Sequence, residues 1–210
     1  MPHTRLTPRL CLLPLLAAMA LTAAAQAPDP RAERGNAFME QALALHEKLV
    51  RGRDIQTRSR LGGYADLPDF YEEIQYLDAA SGRLISRIEW ERSEPRRVHT
   101  LEVNVHDAQG RVSRDYTGWY LPDKRRAPRE AWVTLHAYPP GLHALRQFNL
   151  DGVRSFEKCT GSHQGREVAI ELSEHHIVAE DRPGGVLSSP EYRTCFASLP
   201  LHAGEHAMPH

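Results

Sequence analysis

Val98–Trp119, VHTLEVNVHDAQGRVSRDYTGW, carries the clearest structural pattern in the chain. Apolar and polar residues alternate from Thr100 to His106, which is the period-two pattern of a strand with one buried face. Residues from Arg111 to Trp119 form a second alternating segment. The segment between them begins with Asp107 and ends with Gly110, the residues that a β-turn favours at its first and fourth positions. The stretch therefore predicts a β-hairpin.

The same turn chemistry occurs twice more, at 78–82 and 149–152. An Asp or Asn is followed by a Gly and then by a hydrophobic segment, so further hairpins are expected. Residues 51–69 fit either a short strand at 55–61 or an irregular loop. The predicted strands lie at about 71–78, 83–91, 98–106, 111–120, 131–138, 142–148, 153–160, 167–172, 176–179 and 192–196.

An amphipathic helix is predicted ahead of the strands, at about 31–50. Asp29 is a typical N-cap, Pro30 suits the first helical position, and Gly52 ends the pattern. One helical face carries the apolar residues Phe38, Ala42, Leu45 and Leu49.

These elements predict a β-dominated α+β fold. We expect the N-terminal helix to pack on a curved antiparallel sheet, or half-barrel, of about eight strands joined by Asx/Gly hairpins. The layout is similar to that of exported carriers of the lipoprotein-chaperone type. The resemblance is one of broad fold and implies only that such a sheet can hold a ligand.

Residues 1–27 have the three parts of a secretory signal peptide. Arg5 and Arg9 supply positive charge, Leu10–Leu21 is almost wholly apolar, and Ala25-Gln26-Ala27 provides a cleavage site. We therefore expect cleavage near Ala27 and a periplasmic or secreted protein.

The rest of the chain is predicted to be one β-rich domain at 28–200, followed by a disordered tail at 201–210 that contains histidines. No segment after the signal is long and apolar enough to predict a transmembrane helix. The whole chain carries 26 basic and 27 acidic residues, a balance that gives no reason to expect nucleic acid as a partner. An envelope protein or a small amphipathic ligand is expected instead, and the oligomeric state stays open.

Two cysteines follow the predicted cleavage site, Cys159 and Cys195. An even pair in an exported protein predicts a disulfide, which would close a loop of roughly 37 residues and contribute roughly 4 kcal/mol. A metal site that includes Cys159 is the alternative, since His163, His175 and His176 lie in the same loop.

No local motif indicates catalysis, and no cofactor is predicted. His46 begins an HExxH motif, but Val50 stands where the second histidine is required. Ser162 lies one position too early for a G-x-S-x-G nucleophile turn. A metal-handling function is a separate alternative that rests on tail histidines at four-residue spacing, which are His202, His206 and His210.

The predicted ligand or partner surface combines aromatic residues with a basic loop. We interpret the protein as a non-catalytic binding or accessory protein of the cell envelope that carries an amphipathic ligand or docks to an envelope complex. A small periplasmic hydrolase with converging His, Asp and Glu residues is the alternative. Replacing Arg125 and Arg126 by Ala is expected to weaken binding without loss of stability. The predicted surface residues are Trp119, Tyr120, Arg125, Arg126, Trp132, His136 and Tyr138.

Overall fold

The structure is a computed structural model that describes residues 29–122, 124–182 and 184–210. The predicted signal peptide lies outside these residues. The helices are α1 (Pro30–Val50), α2 (Glu174–Glu180) and α3 (Pro190–Phe196), with 3-10 helices at Val186–Ser188 and Gly204–Ala207. The strands are β1 (Ile55–Tyr64), β2 (Leu67–Asp78), β3 (Leu84–Glu91), β4 (Val98–His106), β5 (Val112–Trp119), β6 (Glu130–Ala137), β7 (Leu142–Asn149), β8 (Arg154–His163) and β9 (Arg166–Ser173). Within the described ranges, no helix is both long and apolar enough to cross a bilayer.

The nine strands form one sheet in the order of the sequence, and each strand is antiparallel to the next. The sheet is not closed, so β1 and β9 are its two edges. The predicted β-dominated α+β fold is confirmed. Eight of the ten predicted strand ranges form strands. The ninth strand is β1, which forms in the region where the sequence left strand and loop equally open.

The predicted hairpin is formed by β4 and β5. One carboxylate oxygen of Asp107 accepts hydrogen bonds from the backbone N–H groups of Gln109 and Arg111, both at 2.9 Å. Gly110 has φ of +78°, a conformation that costs a side-chain-bearing residue energy. The turn therefore uses the two residues that predicted it.

The face of the sheet that carries α1 is called the inner face. Helix α1 contacts β3, β4, β5 and β6. Gly118 of β5 lies beneath Met39, and a Cβ atom there would clash with the Met39 sulfur. The ring of Phe38 meets the edge of the Tyr116 ring at 6.0 Å between centroids. The buried apolar residues of α1 are Ala32, Phe38, Met39, Ala42 and Leu45.

Two strands predicted near the C-terminus are wrong, because 176–179 lies in α2 and 192–196 forms most of α3. Helix α3 starts at a Ser189 N-cap, whose side chain accepts a hydrogen bond from a backbone N–H at 3.1 Å, with Pro190 at the first helical position. Helical spacing puts residues i, i+3 and i+4 on one side, whereas a strand would separate them. The buried residues with this spacing are Tyr192, Cys195 and Phe196.

Part of the C-terminal segment 201–210 packs against the core. Ala203 is buried in the core cluster and Met208 packs against it. The backbone N–H of Ala203 donates to the carbonyl of Gly152 at 3.4 Å. Isolated small and apolar residues pack here without any periodic pattern, so the sequence gives no signal for this contact.

Cys159 of β8 and Cys195 of α3 form a disulfide, with an S–S distance of 2.02 Å. The predicted pairing is confirmed. Both residues are fully buried, so the bond ties α3 directly to the inner face of the sheet.

Helix α3 is also held against the sheet by a buried ion cluster, which consists of Arg146, Arg154, Glu157 and Tyr192. Arg146 is 1% exposed and Glu157 is 0% exposed, and the two form an ion pair. The Tyr192 hydroxyl donates to Glu157 at 2.8 Å. Burial, together with the hydrogen bond to Glu157, raises the pKa of Tyr192 to about 12.

Candidate functional site

The predicted surface residues lie in three separate places. Tyr120 and Arg125 line a cleft beside α1, and Arg126 is exposed on the same loop. Trp119 and Trp132 are at the same end of the sheet but on its outer face. His136 and Tyr138 are on the outer face toward the opposite end of β6, about 13 Å and about 20 Å from Trp132 at the rise of a strand. The structure therefore does not bring all seven residues into one surface.

The cleft beside α1, called the arginine-rimmed cleft, has a volume of about 300 Å³. It opens between α1, the turn from β3 to β4 and the loop after β5. Its apolar side chains form the floor and three arginines stand around them. Burial raises the pKa of Tyr120, so its hydroxyl stays protonated at neutral pH. The lining residues are Met39, Glu40, Leu43, Arg96, Arg97, Val98, Tyr120 and Arg125.

Arg125 is held in place by several contacts. It forms an ion pair with Glu91, which is 3% exposed, and donates to the Val98 carbonyl at 3.3 Å. Its guanidinium also lies 5.6 Å from the centre of the Tyr120 ring. Removing a partner from a buried carboxylate is costly, so Arg125→Ala should lower stability, contrary to the expectation from the sequence. Arg126 is exposed, so Arg126→Ala is still expected to leave stability unchanged.

The loop after β5 is tied to α1 through Asn36. The Tyr120 hydroxyl donates to Asn36 Oδ1 at 3.0 Å, and Asn36 Nδ2 donates to the Arg126 carbonyl at 2.9 Å. Gly35 gives Pro128 room to lie against the helix. These contacts fix one wall of the arginine-rimmed cleft.

Trp132 lines a different cleft, of about 370 Å³, at the N-terminal end of α1. Its charged lining residues are four acids and two arginines, among them Asp29, Arg31 and Glu174. Because the acids outnumber the arginines, this cleft is a poorer match to an anionic ligand than the arginine-rimmed cleft.

The outer-face histidine cluster contains Asp115, His136, His143 and Tyr138. His136 Nε2 lies 2.8 Å from Asp115 Oδ2, and His136 Nδ1 lies 3.0 Å from His143 Nε2. The His143 ring stacks on Tyr138 with 4.8 Å between centroids. Both nitrogens of His136 are therefore engaged, and only His143 could exchange a proton with a substrate. Burial, followed by the charge of His136, lowers the pKa of His143.

The histidines do not gather into a metal site in the part of the chain that the structure describes. No group of three or more His, Cys, Asp or Glu side chains there has the arrangement to hold a metal ion. His202 and His210 are exposed, whereas His206 turns toward the sheet. Cys159, the sulfur donor of the alternative metal site, is committed to the disulfide.

Sequence reasoning missed most of the arginine-rimmed cleft. Met39 and Leu43 belong to the apolar side of a helix, where nothing distinguishes a cleft wall from the core. Arg96 and Arg97 are adjacent basic residues in the turn between β3 and β4. Their role depends on which loop lies opposite, and that is a property of the tertiary structure.

A buried histidine joins the first hairpin to β4. His99 is 2% exposed and is surrounded by the rings of Tyr64, Phe70 and Tyr71, at 5.1 to 5.7 Å between centroids. The Tyr64 hydroxyl lies 2.5 Å from His99 Nε2. Burial lowers the pKa of His99. Burial is also the main cause of a lowered pKa at His46, His106, His143 and His206.

We expect acid to destabilise the protein between about pH 7.5 and pH 5.5. An unfolded chain protonates its histidines near pH 6.5, while these folded-state pKa values are lower. The unfolded state then binds more protons, so the stability present above pH 6.5 is lost as the pH falls toward the folded pKa values. Urea unfolding across this range measures the slope. His99→Gln should flatten it and the exposed His175→Gln should not; equal slopes in both variants would contradict the assignment.

The chain was compared with protein-family models, curated proteins and solved structures. None of the three comparisons found a match. The function is therefore argued from the geometry of the chain itself.

Proposed function

We propose that the protein is an exported binding protein that takes up an anionic amphipathic ligand in the arginine-rimmed cleft. The observation that carries this proposal is the combination of an apolar floor with three arginines in one cleft. Such a site suits both parts of an amphipathic ligand, since the ligand's alkyl chain can cover the apolar floor while its acidic head binds the arginines of the rim.

The floor is built from side chains that the core does not fully cover. Leu43 and Val98 are half-buried, and both pack against the core cluster. Each ligand methylene that covers such surface contributes about 0.8 kcal/mol. The cleft volume of about 300 Å³ is at the small end of ligand sites, so a single acyl chain fits the proposal better than a bulky ligand.

The rim supplies positive charge of two kinds. Arg125 is fixed against Glu91, whereas Arg96 is exposed on the turn from β3 to β4. The charge of Arg97 is partly neutralised, because Arg97 pairs with Glu94 and lies near Glu91. Arg96 is therefore the rim residue with most freedom to meet an acidic head group.

The proposed location is the periplasm or the cell exterior, after cleavage near Ala27. The buried disulfide supports an oxidising compartment, where such bonds persist. We further propose that α1 covers an open half-barrel and that the loaded protein serves an envelope partner. The hydrolase alternative has less support, since the outer-face histidine cluster offers no nucleophile among its hydrogen-bond partners. The metal-handling alternative has less support because the tail histidines point to different places.

The test is native mass spectrometry of the protein purified from its own compartment, followed by titration with octanoate, decanoate and dodecanoate. We expect a retained mass of lipid size and an affinity that rises about fourfold per added methylene until the cleft is full. Leu43→Asp should weaken dodecanoate binding about tenfold or more, since it puts a charge on the apolar floor.

Matched arginine variants separate the rim from general charge. Arg96→Gln should weaken dodecanoate binding, whereas Arg166→Gln, on the exposed end of β9, should leave it unchanged. A wild-type protein that binds none of the three fatty acids, or an affinity that Leu43→Asp does not alter, would rule the proposal out.

A further inference from the structure

A separate group of polar side chains lies on the inner face, between β5 and the C-terminal 3-10 helix. Arg114 and Tyr116 occupy successive inner positions of β5, opposite Leu135 and Val133 of β6. The 3-10 helix at Gly204–Ala207 contacts β6 and carries His206. This group is about five residues along β5 from the arginine-rimmed cleft, so the two are distinct.

Each of the three side chains has a buried polar atom without a hydrogen-bond partner. The atoms are Arg114 Nε, Tyr116 Oη and His206 Nδ1. Tyr116 is 0% exposed, and its ring is fixed by the contact with Phe38. Most buried polar atoms in proteins are paired, and leaving one unpaired destabilises the fold. Three orphaned atoms in one region are therefore a feature that requires an explanation.

Arg114 affects the titration of both Tyr116 and His206. Burial raises the pKa of Tyr116, while the charge of Arg114 and a hydrogen bond from its side chain oppose that rise. The two side chains are therefore close, although the geometry leaves Arg114 Nε and Tyr116 Oη without a well-formed hydrogen bond. The same charge adds to the effect of burial in lowering the pKa of His206, while Glu205 opposes it and His210 adds to it. Glu205 lies 3.9 Å from His206 Nε2, but its side chain is 84% exposed. It is therefore directed mainly to solvent.

Arg146 provides the comparison, since it is on the same row of the inner face. Its guanidinium is paired with Glu157 and also donates to Tyr192 and to two backbone carbonyls. Arg114 has no carboxylate within 4.0 Å among the described residues. The sheet thus supplies a counter-charge for one inner arginine and none for the other.

We propose that Arg114, Tyr116 and His206 bind the carboxylate group of a small organic acid. Arg114 Nε–H, the Tyr116 hydroxyl and the Nδ1–H of a neutral His206 are all donors, and a carboxylate is an acceptor with two oxygens. One negative charge matches the single permanent positive charge of Arg114. Arg114 is half-buried, so the acid enters from the solvent side with its carboxylate foremost. The proposal is independent of the function proposed for the arginine-rimmed cleft.

The experiment titrates the purified protein with acetate and with inorganic phosphate at matched ionic strength. The Nε–H resonance of Arg114 is followed by NMR together with the melting temperature. Acetate lacks the long alkyl chain that the apolar floor would hold, and the Arg114 resonance distinguishes binding here from binding at the rim of the other cleft. We expect acetate to shift the Arg114 resonance, to raise the melting temperature and to bind more tightly than phosphate.

Variants assign the site. Arg114→Gln should weaken acetate binding about tenfold or more, as expected for loss of a charged hydrogen-bond partner. Tyr116→Phe keeps the ring against Phe38 and should also weaken binding, without lowering the melting temperature of the ligand-free protein. Arg166→Gln, on the exposed end of β9, should bind acetate as the wild type does.

The proposal is overturned if the wild type does not bind acetate, or if phosphate binds at least as tightly. It is equally overturned if Tyr116→Phe and His206→Asn both retain wild-type affinity. These two variants keep the test decisive even if Arg114→Gln fails to fold.

Discussion

Replacing Arg146 by Met is expected to lower the free energy of unfolding by about 3 to 5 kcal/mol. The change leaves Glu157, a carboxylate with no exposure, without its main counter-charge. It also removes the donors to the carbonyls of Leu199 and Pro200, at 2.7 and 2.8 Å. The destabilisation therefore comes from groups left buried and unpaired more than from the intrinsic strength of the ion pair.

The double variant Arg146→Met, Glu157→Leu distinguishes these two causes. Replacing both partners of a buried ion pair by apolar residues is often close to neutral, so the double variant should be more stable than Arg146→Met alone. Urea unfolding of the wild type, both single variants and the double variant completes the cycle. A double variant as unstable as the sum of the single variants would mean that Arg146 and Glu157 contribute independently, and would contradict the expected cost of leaving one of them buried and unpaired.

The second large effect is expected from the disulfide. Replacing Cys159 and Cys195 together by Ala should lower the free energy of unfolding by about 4 kcal/mol, within the usual range of about 2 to 5. The bond joins positions 36 residues apart, and in the chain-entropy account a loop of this length strongly restricts the unfolded chain. Urea unfolding of the oxidised protein and the double variant gives the difference.

Reduction without mutation is the control for the disulfide. Unfolding in the presence of a thiol changes no side-chain volume, so it isolates the cross-link from any cavity that the alanines leave. Intact mass should fall by two hydrogens on oxidation. Equal stability of the oxidised and reduced proteins would contradict the expected role.

The disulfide and the buried ion cluster should not act independently. Both attach α3 to the inner face, through β8 in one case and through β7 and β8 in the other. Neighbouring interactions that hold one element are generally non-additive. We expect the combined loss in Cys159→Ala, Cys195→Ala, Arg146→Met to be smaller than the sum of the separate losses.

Much of the sheet could be predicted because its signals are local. Alternation along β4 and β5, with Asp107 and Gly110 between them, specifies a hairpin without reference to the rest of the chain. The prediction failed where a short segment was read without its cap. Residues 192–196 suit a strand by composition, but Ser189 and Pro190 start a helix there.

The candidate sites were less accessible to sequence reasoning. Tyr120 and Arg125 were predicted as surface residues because they belong to an aromatic and basic stretch of sequence. Leu43 and Arg96 were not predicted, because the arginine-rimmed cleft joins segments more than fifty residues apart in the chain. The contrast between Arg114 and Arg146 was also invisible. Both are arginines in alternating strands, and only the neighbouring strands and helices decide which of them receives a carboxylate.

Residue type, short-range spacing and an even cysteine count were enough to predict the β-dominated class, the hairpin turns and the pairing of Cys159 with Cys195. The helices α2 and α3 on the inner face, the packing of Ala203, Ala207 and Met208 against the core, and the polar groups left without partners could not be predicted in this way. These outcomes depend on burial and on contacts between distant segments, and both arise only when the chain has folded.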